Sequence, residues 1–105
     1  MGTRYPNIAV AVALAVLPAT ASAQATEDSL LNECFSLRTA GRHAEALPRC
    51  EQAVALSPSG RTLGQLALTE FAAARYVDAA QHLTAALADT AHPWVQRNRA
   101  ALEDA

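Results

Sequence analysis

Apolar and polar residues recur along this chain at helical spacing. Leu30, Cys34, Leu37 and Ala40 stand at i, i+4, i+7 and i+10, with Leu31 and Phe35 widening the stripe. That is one buried helix face. Thr26 or Asp28 is placed to cap its first amides, Glu27 and Asp28 put negative charge at its positive end, and Gly41 is its stop. A second stripe, Ala46, Leu47, Cys50, Ala53 and Val54, predicts a helix from about His43 to Leu56, closed by Ser57-Pro58-Ser59-Gly60. Pro48 inside it predicts a late start or a bend. Thr62 with Gln65 three residues on predicts the cap of a third helix, carried by Leu63, Leu66, Ala67 and either Glu70 or Phe71 to about Ala74. Gly64 weakens that helix but permits close packing. A fourth helix, Val77 to Ala88, buries Ala79, Ala80, Leu83, Ala86 and Leu87. Pro93 suits the first turn of a fifth, with Trp94, Val95, Ala101 and Leu102 on one side.

The stretch from Thr39 through Leu47 to Pro58 has a weaker copy, from Ala72 through Ala80 to Ala88. A period of about 33 residues built as helix–turn–helix predicts stacked helical hairpins rather than a catalytic domain. Composition agrees. Alanine is abundant, and aromatics make up 5% of the 105 residues, which favours helix over strand. The net charge is −2 and the arginines are scattered, so no nucleic-acid footprint is expected.

Residues 1–23 read as an export signal. Arg4 supplies positive charge, Ile8 to Leu17 is an unbroken apolar run, Pro18 breaks it, and Ala21-Ser22-Ala23 suits a signal peptidase. Cleavage is expected at Ala23–Gln24, with Ala25–Thr26 second; the alternative is a membrane anchor that stays uncleaved. The mature chain then runs from Gln24 to Ala105 with no membrane span, and it sits in the periplasm or cell envelope of a bacterium. Residues 24–26 form a short exposed lead, 27–59 and 60–92 two repeats, and 93–105 a closing helix. That helix lacks a glycine stop, so the chain is also read as the amino-terminal part of a longer protein.

The repeated unit resembles the tetratricopeptide repeat family. In the first repeat Leu30, Cys34, Leu37, Ala46, Cys50 and Pro58 take the pattern positions; in the second, Leu63, Leu66, Ala67, Ala79, Leu83 and Ala86 do. Glu33 and Glu70 depart from the pattern, and the second turn lacks glycine and the second repeat its closing proline. The resemblance implies an all-α fold of two antiparallel hairpins plus a capping helix, and a ligand groove lined by the first helix of each pair. Carried over residue by residue, that groove holds Asp28, Leu31, Phe35, Arg38, Arg61, Leu68 and Phe71. The implied partner is a protein or peptide. The alternative is a structural scaffold or spacer in a larger envelope protein.

Cys34 and Cys50 lie eight residues before and eight after a turn centred on Arg42. In an antiparallel hairpin that sets them at one level on facing stripes, within disulfide reach. One reading is a staple closing a loop of about 15 residues, worth about 3 kcal/mol; the other is two buried thiols that never pair. His43, His82 and His92 fit no zinc spacing. The serines lack a nucleophile elbow and the acids fall on helix faces. No enzyme, metal or cofactor is expected. Trp94 reads as a packing residue for the fifth helix, or as a surface anchor for a partner.

Overall fold

The computed structural model of the protein describes residues 19–105. Within them lie five helices and no strand: α1 (Ala19–Thr39), α2 (His43–Leu56), α3 (Gly60–Ala72), α4 (Tyr76–Ala88) and α5 (Pro93–Asp104). The fold is all-α, as expected. The apolar run of the expected signal lies outside the described residues, and Ala23–Gln24 falls on the exposed first turns of α1. No described helix is long and apolar enough to cross a membrane.

α1 starts well before the expected cap. Ala21 to Ala25 contains no helix breaker, and residues 24–26 are exposed but helical. The Thr26 hydroxyl donates back to the Ser22 carbonyl at 3.0 Å, so Thr26 works inside the helix. α2 spans the predicted range and runs through Pro48. That proline is exposed, so water can satisfy the carbonyl one turn back that loses its amide partner. α3 begins earlier than expected. Ser59 is its cap: its hydroxyl accepts from the Thr62 amide at 3.2 Å, and the Thr62 hydroxyl accepts from the Ser59 amide at 2.9 Å. Thr62 is the third helical residue of a capping box, not the cap.

α1 returns into α2, and α3 into α4, through the same turn. At the first, the Gly41 amide donates to the Arg38 carbonyl at 3.0 Å and the Arg42 amide to the Leu37 carbonyl at 2.8 Å. At the second, Ala74 donates to Phe71 at 3.0 Å and Arg75 to Glu70 at 2.8 Å. Both are Schellman closures. Arg42 then pairs with Glu45, and Arg75 with Asp78. One interval relates the helix ends Thr39 and Ala72, the starts His43 and Tyr76, and the starts Gly60 and Pro93.

α3 packs on both helices of the first pair, and α5 packs on both helices of the second. Leu31, Cys34, Ala46, Leu47, Cys50, Ala53 and Leu66 form the core between the pairs. Ala67, Ala79, Ala86, Val95 and Leu102 are buried further along. Small residues let the axes approach. Ala80 is exposed, and Val54, Leu83 and Leu87 are only half-buried. α4 meets only α3 and α5 among the described helices, so its apolar stripe is covered more narrowly than the sequence suggests.

Candidate peptide groove

The first helices of the successive units, α1, α3 and α5, share one wall, and a cavity of about 370 Å³ opens between them. Leu31, Asn32 and Phe35 line it from α1, Arg61 and Gln65 from α3, and Pro93, Trp94 and Arg97 from α5, with His92 at the lip. Two glycines bring α5 this close. A Cβ on Gly64 would lie 2.5 Å from the Trp94 ring, and one on Gly60 would fall inside the Val95 side chain. The Gly60 amide also donates to the Asp89 carboxylate at 2.8 Å, holding the α4–α5 loop against the start of α3. Trp94 packs α5 onto α3, as expected of a packing residue, and also lines the cavity.

Three of the seven expected groove residues, Leu31, Phe35 and Arg61, line this cavity. Asp28 borders it through Arg61, whose guanidinium donates to the Asp28 carboxylate at 2.6 Å and lies 3.5 Å from that of buried Glu27. That hydrogen bond holds the Asp28 carboxyl below its usual range. Arg38 adjoins the wall, its guanidinium 5.4 Å from the centre of the half-exposed Phe35 ring. Its Nη1 donates to the Gln65 side-chain oxygen and the Thr69 hydroxyl, both at 3.0 Å. Burial lowers its pKa. Leu68 and Phe71 do not line the cavity. Phe71 is exposed and stacks edge-on with Tyr76, ring centres 5.5 Å apart, because its neighbour Glu70 takes the buried place on α3.

Asn32, Gln65, His92, Pro93 and Arg97 are lining residues that the sequence reading missed, and it did not place Trp94 among the groove residues. The repeat contained the signal. Asp28, Arg61 and Trp94 stand one repeat apart in turn, as do Asn32, Gln65 and Asn98. Carrying the period into the fifth helix places Trp94 at the position of Arg61.

Behind the wall, Cys34 and Cys50 are joined in a disulfide, with Cα atoms 5.6 Å apart. Both are fully buried, and the Thr69 hydroxyl lies 3.3 Å from the Cys34 sulfur. The histidines serve packing and capping. His92 Nδ1 accepts from the Trp94 amide at 3.1 Å and caps α5. His82 Nδ1 meets the Glu70 carboxylate at 2.6 Å. His43 Nδ1 is buried without a partner among the described residues. A larger hollow of about 910 Å³ is lined by α1 and α2, with Asp28 in its lining and Asn32 shared with the smaller cavity. It holds no aromatic ring, and its Glu33 and Glu45 are already paired with Arg49 and Arg42. Compared with known proteins, the chain matches no family model, no curated protein and no solved structure.

Proposed function

We propose that the chain is an exported helical-repeat module of tetratricopeptide type that holds a protein or peptide segment in the groove between α1, α3 and α5, without chemistry of its own. The observation that carries this reading is the recurrence of the turn, hydrogen bond for hydrogen bond, which sets α1, α3 and α5 side by side around one cavity. Repetition of that kind builds concave recognition surfaces. The side of α5 turned away from the stack supports a presented module. Gln96, Ala100, Glu103 and Asp104 are exposed on α5, a largely polar covering rather than an apolar face awaiting cover. The buried disulfide fits an oxidising compartment, the periplasm or cell envelope; retention by an uncleaved signal is the alternative.

The test is a pull-down from that compartment with wild type, Phe35→Ala and Arg38→Glu. Loss of a bound protein from both variants, with helical content retained, supports the groove. An unchanged set of bound proteins overturns it. A second reading, a self-associating scaffold, is favoured by the exposed Phe71, Tyr76 and Val77 at the α3–α4 turn. Light scattering on wild type and Tyr76→Ser decides it: a dimer that the substitution dissolves supports the scaffold.

A further inference from the structure

We infer that the groove selects an acidic segment: an extended peptide in which the carboxylate of an internal Asp or Glu is bound by Arg38, with Arg97 reinforcing it, while a neighbouring apolar side chain lies on Phe35 and Trp94. This rests on the peptide-groove reading and adds the charge of the ligand and the residue that reads it.

Seven arginines lie among the described residues. Arg42, Arg49, Arg61, Arg75 and Arg99 each pair with a carboxylate of the chain. The two left without an acid partner among the described residues are Arg38 and Arg97, one beside the groove and one in its lining. Arg97 lines it, and Arg38 lies over its Phe35 wall. Arg38 is half-buried, and its hydrogen bonds to Gln65 and Thr69 all go from Nη1 to neutral oxygens. A partly desolvated cation with only neutral partners gains most from an incoming carboxylate.

The rest of the lining is arranged to donate. Gln65 gives its oxygen to Arg38, which leaves its amide nitrogen for a ligand. His92 Nδ1 accepts from the Trp94 amide, so the proton of the neutral ring is on Nε2. The Asn32 side chain has no hydrogen-bond partner among the described residues. A peptide carbonyl and a carboxylate both suit such a wall. Nucleic acid does not: Glu27 and Asp28 already hold Arg61 at one end, and a string of phosphates would meet those acids. Arg38 borders the cavity over the Phe35 ring and does not line it, which suits a side-chain carboxylate reaching across that ring from a segment lying in the cavity rather than a terminus seated inside it.

Trp94 is the chain's single tryptophan and lines the cavity, so its fluorescence reports occupancy. The probes are three octapeptides: a blocked peptide with Leu-Glu-Phe at its centre, its Leu-Gln-Phe twin, and that twin with a free carboxyl terminus. The Glu peptide is expected to bind about tenfold tighter than the Gln twin, as one charge-assisted contact allows. In R38Q the two converge on the affinity of the Gln twin; R38K keeps part of the preference. Should R38Q fail to fold, exposed R97Q carries the same comparison and reduces the preference. Equal affinities for Glu and Gln peptides in wild type overturn the acidic preference and leave the groove standing. Preference for the free terminus alone overturns the internal side chain. No binding of any probe overturns both.

Discussion

Ala74 occupies the left-handed backbone position that Gly41 fills one repeat earlier, with φ of 63° against 80°. Alanine is strained there by about 1 kcal/mol. The turn is formed all the same, because Arg75 donates to Glu70 and the α3–α4 contact pulls it closed. Ala74→Gly should therefore stabilise the protein by up to about 1 kcal/mol, and Gly41→Ala should destabilise it by a similar amount. Urea unfolding of both variants measures this. Destabilisation by Ala74→Gly would refute the strain account.

The Cys34–Cys50 bond should be worth about 3 kcal/mol through the unfolded chain it constrains. The double variant Cys34→Ala/Cys50→Ala should lower the denaturation midpoint accordingly. In the native protein neither sulfur should react with an alkylating reagent until both reductant and denaturant are present, since both are buried. Ready alkylation with reductant alone would contradict that burial.

Glu70 is buried, and His82 is the partner of its carboxylate. Removing the ring by His82→Ala leaves a buried carboxylate without its hydrogen bond, at a cost of about 1–3 kcal/mol. The equivalent residue in the first repeat is Leu37. Glu70→Leu combined with His82→Ala should therefore recover most of the loss. A thermal scan of the three proteins distinguishes this from a simple packing role for His82.

Gly64→Ala sets a methyl group against the Trp94 ring. The ring must leave its place or α5 must lift, at about 1–3 kcal/mol. Tryptophan emission should shift to longer wavelength while α1 to α4 keep their helical content. Unchanged emission would mean that Trp94 does not lie on Gly64.

The Asp28–Arg61 pair borders the groove, and Arg61 holds the Asp28 carboxyl below its usual range. The folded pKa is depressed, so any stabilisation from it is present above the unfolded pKa and is lost as pH falls through the folded one. Arg61→Gln should raise the Asp28 pKa towards the ordinary aspartate value, as read by carbon NMR of the carboxyl. No movement would show that Arg61 is not the cause.

The helices themselves were legible in the chain. The apolar spacing from Leu30 to Ala40 and from Ala46 to Val54, and the breakers Gly41, Pro58 and Pro93, are local signals, and the five helices follow them apart from the early starts of α1 and α3. The proximity of Cys34 and Cys50 was legible as a symmetry about Arg42, since antiparallel helices bring equal offsets to one level; that they pair was not. What each helix faces was not legible. Glu70 and Phe71 are adjacent and both suit a helix; the partner His82 on α4 sends Glu70 inward and Phe71 out. Nor could residues 28 to 38 reveal which arginine would lack an acid, because pairing depends on what α3 and α5 bring across. The sequence by itself determined the periods, the stops and the length of the repeat. Only the stacking of α5 onto Gly60 and Gly64 decided that Trp94 and Arg97 would complete a groove begun by Phe35, since that contact depends on glycines whose missing side chains matter only once another helix arrives.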